Sequence, residues 1–367
     1  MRQINVNTLR QWLEDGTPVN VLDVRSSEDR SEWSIPGSIH VDAYQALKAQ
    51  NPNALASLDL PTDVPVVTVC GRGRVSQVAA KQLQNLGFNA FSLEGGMRAW
   101  SLAWNSAEVT ISSPPTCVLQ LRRTGKGCLS HLIGSHRSAV VIDASLPTEV
   151  YLNLAEQHDW RISHVVETHI HADHLSRSKI LAEVAGASLL LPAQHRAAFL
   201  FTPVADGNTV QFGQARLKAI WTPGHTMEST CYLLNDDALF TGDTLFLSSV
   251  GRPDLHADLA ETRERARYLY HSIENLHRLS PEVLIFPGHA SEPIAFDGKA
   301  IYSHLGEVFR LLATQYSSEQ EFVQRLMSRI PPTPANYERI VKLNEAGTLP
   351  EGDPTELEAG ANRCAVL

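Results

Sequence analysis

Residues 167–176 read ETHIHADHLS, which sets three histidines and an aspartate within six positions. That is too dense a group of metal-ligand side chains to be accidental. Strand alternation would place His169 and His171 on one face at the end of a strand, with Asp173 and His174 in the turn that follows. Further ligands come later in the chain: TPGHT supplies His225, FTGDTLF supplies Asp243 and FPGH supplies His289. Each follows an apolar run and a glycine, so each is expected in a loop at a strand end. Any one of these motifs alone would pass as a surface turn or a polar loop. All four in this order call for a fold that gathers strand ends around a metal.

Two reaction classes fit that ligand list. In a hydrolase two Zn(2+) ions would be held, one by His169, His171 and His225 and the other by Asp173, His174 and His289, with Asp243 bridging. The bridging water would be the nucleophile. In an oxygenase a single Fe(2+) would sit on two histidines and one carboxylate, leaving open positions for oxygen and substrate. The ligand list does not choose between them.

The chain has 367 residues, more than one average domain, so two domains are expected. Hydrophobic residues at 43% and charged residues at 19% suit globular cores. The net charge of -9 comes without a basic stripe, which argues against nucleic acid and for small-molecule partners. The N-terminal MRQINVNTLRQWLEDG is not a signal peptide, and no apolar run is long enough to span a bilayer. Five widely spaced cysteines make no disulfide framework, so a reducing cytoplasm fits best.

Residues 1–104 alternate strands with helices. VNVLDVR and PVVTVC read as strands, and RVSQVAAKQLQNLGF as a helix with Val75, Val78, Ala79, Leu83 and Leu86 on its apolar face and Gly87 as its stop. Such alternation predicts a parallel sheet with helices on its faces. NSAEVTISSPP (105–115) is the expected linker. The second domain is expected over 116–330, with hairpins in TVQFGQARLKAIWTPGH and STCYLLNDDALFTGDTLF. The proline-rich segment 331–367 is expected to wrap the second domain as a tail.

Cys70 ends an apolar strand and opens CGRGRVS. Glycines permit a tight loop whose amides point inward, and a helix N-terminus with Arg72 and Arg74 adds positive potential. All three favour a thiolate and would equally hold an anionic sulfur compound. A small buried hydrophobe at a strand end is the bland alternative for Cys70. Cys128 and Cys231 are read as structural. Cys364 is read as a free tail thiol, with active-site contact as the other option.

With LDVRSSEDRSEWSIPGSIHV and LEGGMRAW flanking the Cys70 loop, residues 1–104 resemble the rhodanese sulfurtransferase family. The resemblance implies a persulfide on Cys70, cradled by loop amides, Arg72 and Arg74. Residues 116–330 resemble the metallo-β-lactamase superfamily, which implies a four-layer αββα sandwich. HIHADHLS, TPGHTMES, TGDTLFLSSVGRPD and the tail GANRC together resemble its persulfide dioxygenase branch. That implies one iron on His169, His225 and Asp243, with His171, Asp173, His174 and His289 around the ligands, and a substrate carboxylate on Arg252. The expected reaction takes a small persulfide (glutathione persulfide or similar) and O2 to sulfite and thiol, with thiosulfate as a further product of sulfur transfer through Cys70. A dizinc thioester hydrolase of the glyoxalase II type is the alternative. A non-catalytic reading makes the first domain a dimerisation or sensing module, and homo-oligomerisation stays open.

Overall fold

The computed structural model describes residues 2–112, 114–360 and 363–366. The first unit holds a five-stranded sheet in the order Gln3–Ile4, Ala90–Leu93, Val66–Val69, Asn20–Asp23 and Ile39–His40. Every pairing in it is parallel. Successive strand residues point to opposite faces, so the sheet builds two cores. Leu22, Val66, Ala79, Ala80 and Leu83 fill one; Val21, Val67, Val69, Leu9 and Trp100 fill the other. The helix expected after the Cys70 loop runs Val75–Asn85, although Leu86 at its end is exposed.

The second unit is the expected αββα sandwich. A seven-stranded sheet packs on a six-stranded one. The space between them is filled from both sides, by Val118, Ile133, Val140 and Val166 of one sheet and Leu217, Tyr232, Phe240 and Phe286 of the other. Alternation in the strand Thr230–Leu234 shows why both faces are covered. Tyr232 and Leu234 enter this inner core, while Cys231 and Leu233 face the outer layer formed by Ala266, Leu269 and Ile273 of the helix Leu259–Leu276. Helices Thr148–Gln157 and Ser178–Ala185 cover the other sheet's outer face through Tyr151, Ala155 and Leu181. Both expected hairpins form, the second with Asn235 and Asp236 in the left-handed region its turn demands. Among the described residues no helix is long and apolar enough to cross a membrane.

The segment expected as a linker is different. Asn105–Ser112 is a strand, paired antiparallel along its whole length with Pro115–Arg122. Ser113 lies outside the described residues. The chain therefore enters the second sheet at once.

The tail contains the helices Tyr337–Ala346 and Thr355–Glu358, and it touches both units. Arg98 pairs with Asp353 (3.1 Å) and Glu356 (2.8 Å). Glu358 is wholly buried and accepts from Arg123 Nη1 (2.9 Å), Arg177 Nη2 (2.7 Å) and the Leu175 amide (3.0 Å). Arg123 in turn donates through Nε to the Ser101 carbonyl (2.7 Å). One carboxylate thus ties the tail, the boundary between the units and the loop after His174. Burial alone would raise the Glu358 pKa, but Arg123 and Arg177 outweigh it and hold the carboxyl well below the usual range. A depressed folded pKa means that this stabilisation is complete above the unfolded pKa of about 4 and fades as pH falls below it. Glu358→Ala should cost about 3–5 kcal/mol near neutral pH, because it strands two buried guanidinium groups. Urea unfolding at pH 7 and at lower pH measures this, and the gap between the two proteins should narrow on acidification.

Candidate metal centre

The strand that leads to HIHADH is Arg161–Val166, so His169 and His171 lie in the loop beyond it rather than on the strand itself. His225 follows the strand Ala215–Trp221, Asp243 follows Ala238–Gly242 and His289 follows Leu284–Pro287. All seven expected ligands are buried and meet at these strand ends. The glycine before Asp243 has a steric reason. Gly242 sits at φ 49°, and a Cβ there would stand 2.5 Å from Thr168 Oγ1.

Within the cluster His169, His225 and Asp243 bring one ligand atom each to within 4.8 Å of one another. The hydrogen bonds set which atoms these are. Thr168 Oγ1 donates to Asp143 Oδ2 (2.8 Å), so the contact at 2.9 Å has His169 Nδ1 donating to Thr168. His225 Nδ1 donates to the Arg252 carbonyl (2.7 Å). Both rings are thereby fixed in the tautomer with a bare Nε2. Asp243 Oδ1 accepts from His289 Nδ1 at 2.6 Å. Asp243 Oδ2 is left without a partner, as is His169 Nε2. That oxygen lies 3.9 Å from His169 Nε2 and 3.7 Å from His225 Nε2. Burial pushes the pKa values of His169 and His225 down, which keeps both neutral and able to ligate.

The other four residues are engaged differently. His289 spans two carboxylates, with Nε2 donating to Asp173 Oδ2 at 2.9 Å. Burial works against its charge, yet Asp243 and Asp173 hold its pKa well above the usual value. His171 Nε2 reaches Glu167 (2.8 Å) and Asp143 (3.2 Å), which likewise outweigh burial and raise its pKa. His174 Nδ1 pairs with Asp173 Oδ1 at 3.0 Å. His171 Nδ1 and His174 Nε2 remain buried without partners. Two carboxylates that hold this arrangement, Asp143 and Glu167, were not singled out in the sequence. Asp143 follows an apolar run, VVID, and adopts a left-handed φ of 55°.

Three expectations need correction. Arg252, fully buried, has no donor left over for a substrate carboxylate. Its five N–H donors go to Asp254 and to the carbonyls of Pro331, Pro332 and Arg363. Its role is to brace His225 and the tail. Cys364 is not a free tail thiol: the strand Ala365–Val366 pairs with Val250–Gly251 and buries Cys364 within 4.8 Å of the ligand atoms of Asp243 and His289. Ala361 and Asn362 of the GANRC motif lie outside the described residues. Cys128 is more than a strand start, since its thiol donates to Asp173 Oδ2 at 3.3 Å. Burial and Asp173 push its pKa up, but His174 and His289 prevail and lower it to about 7.

In the first unit, Cys70 is buried at the end of Val66–Val69, and its sulfur accepts from the Ser76 amide at 3.3 Å. Ser76 Oγ stands 3.3 Å from the same sulfur and 2.9 Å from Ser92 Oγ. Gly96 packs so closely under the loop that a Cβ would strike the Cys70 carbonyl. Arg72 and Arg74 are both exposed, and the contacts to the sulfur come from Ser76. Ser76 had no distinctive signal beyond its place in the first turn of the helix.

Comparison with known proteins agrees with this division. Residues 5–103 match the rhodanese-like domain, and residues 123–289 match the metallo-β-lactamase superfamily. The mitochondrial persulfide dioxygenase ETHE1 of Bos taurus is 32% identical over 49% of this chain and 70% of its own length. A hydroxyacylglutathione hydrolase of Maricaulis maris (strain MCS10) is 33% identical over 38% of this chain and 53% of its own. The crystal structure of ETHE1 from Myxococcus xanthus superposes with a TM-score of 0.55 at 30% identity, covering 63% of this chain and 98% of that one.

Proposed function

We propose that this chain, which belongs to the persulfide dioxygenase family and carries a rhodanese-like domain ahead of its metallo-β-lactamase domain, oxidises a low-molecular-weight persulfide with O2. The overall reaction is R–S–SH + O2 + H2O giving R–SH, sulfite and two protons. The observation that carries this reading is the division of the cluster. His169 Nε2, His225 Nε2 and Asp243 Oδ2 face one another, while a doubly engaged His289 occupies the space between Asp243 and Asp173. Two histidines and a carboxylate with two buried, unpartnered ligand atoms fit a single Fe(2+). Iron bound there would supply the open-shell centre through which O2 reacts with a closed-shell sulfur anion, the persulfide itself giving up the four electrons that reduce O2. Thr168 and the Arg252 carbonyl hold the two imidazoles in the ligating tautomer, and His289 fixes the Asp243 carboxylate.

Cys70 would carry sulfane sulfur, with the Ser76 amide and hydroxyl stabilising its anion. The first domain would either supply persulfide to the metal centre or join sulfur to sulfite as thiosulfate. The dizinc thioester hydrolase is the second reading, favoured by the unpartnered His171 Nδ1 and His174 Nε2 and by the hydrolase relative. Oxygen uptake with sulfite detection separates the two. One O2 consumed per persulfide, with no thioester hydrolysis, is the expected result; thioester hydrolysis without oxygen uptake would reverse the ranking.

A further inference from the structure

A cleft of about 520 Å³ opens beside the metal centre, with His289 and Phe246 in its wall. Arg122, Asp297 and Lys299 also line it. Arg122 pairs across the sheet with Leu129, and the Leu129 amide donates to the Gly288 carbonyl. Two strand spacings, roughly 10 Å, therefore separate the Arg122 backbone from the chain at His289. Arg122 is 1% exposed, yet its charge is only partly used. Nε donates to Asn105 Oδ1 (2.7 Å), and Nη1 donates to Asp297 Oδ1 (2.9 Å) and to the Lys299 carbonyl. Nη2 is buried and has no partner. A buried donor in that state costs free energy until an acceptor reaches it. The loop that carries Asp297 and Lys299 is pinned by Asn105 to the Ala295 carbonyl (2.9 Å) and by Gln120 to the Ile301 carbonyl (2.9 Å). The wall is therefore preorganised.

We propose that Arg122, helped by Lys299, anchors a carboxylate of the thiol that carries the persulfide, at the far side of the cleft from the metal centre. The carrier is then a thiol whose carboxylate lies several bonds from its sulfur. Asp297 competes for the same guanidinium. This assignment rests on the persulfide reading of the centre.

The test is calorimetric binding of S-methylglutathione and of its diethyl ester to the full, iron-loaded chain without oxygen. The free acid should bind about tenfold more tightly than the ester, the scale of one charge-assisted contact. Arg122→Gln should remove that preference. Asp297→Asn should strengthen binding of the acid severalfold, a gain that structural damage would not mimic if Arg122→Gln failed to fold. Equal binding of acid and ester by the unmodified protein, or no gain in Asp297→Asn, would overturn the anchor. Oxygen uptake from glutathione persulfide is read in the same proteins. Selective binding without uptake supports the anchor and counts against the oxygenase reading, whereas uptake without selectivity overturns the anchor alone.

Discussion

His169→Ala, His225→Ala and Asp243→Ala should each lose most of the iron that the unmodified chain retains, while His171→Ala and His289→Ala should keep a substantial part. The first three supply the atoms that face one another, and a three-ligand site has no spare protein ligand to compensate. His289 acts through Asp243: its Nδ1 holds Oδ1 at 2.6 Å and so aims Oδ2. Losing such a partner weakens metal binding or activity by about 10–100-fold rather than emptying the site. His171 is bound to Glu167 and Asp143 and belongs to a separate buried group. The measurement is iron per chain in five variants purified identically, with circular dichroism as the check on folding. Equal and complete loss in all five would mean that the cluster binds two ions as one unit.

Cys70→Ser should abolish sulfur transfer from thiosulfate to cyanide and leave oxygen consumption from added persulfide largely intact. Transfer needs a nucleophilic sulfur at this position, and the serine hydroxyl is a far weaker nucleophile at neutral pH. The Ser76 amide and hydroxyl that meet the sulfur belong to the first unit, and all seven metal-cluster residues lie in the second. A collapse of both activities, with fold and iron retained, would show that the two sites do not work independently.

The order HIHADH, PGH, GD, PGH exposed the candidate metal cluster because each of its residues sits next to a strand end, and strand ends are legible from apolar runs. What bears on metal number is the partner of each ring nitrogen; Thr168, Glu167 and Asp173 are neighbours in sequence, but Asp143 and the Arg252 carbonyl come from distant segments. Asp143 lies on another strand end, and the Arg252 carbonyl reaches His225 from a loop. The same holds for Arg252 and Cys364, whose surroundings depend on a two-residue pairing between Val250–Gly251 and Ala365–Val366. So short a long-range pairing leaves no local pattern. The strand Asn105–Ser112 did leave one, with Asn105, Ala107 and Ile111 buried and Glu108 and Thr110 exposed. Ser-Ser-Pro-Pro at its end reads as a linker signal, whereas Asn105–Ser112 pairs antiparallel with Pro115–Arg122.

The central claim is that this cluster is a one-iron site, and metal analysis of the chain purified without oxygen tests it most directly. About one iron per chain is predicted, as expected of two histidines and one carboxylate, together with oxygen uptake on addition of persulfide. Two zinc ions per chain, with thioester hydrolysis and no oxygen uptake, would contradict it.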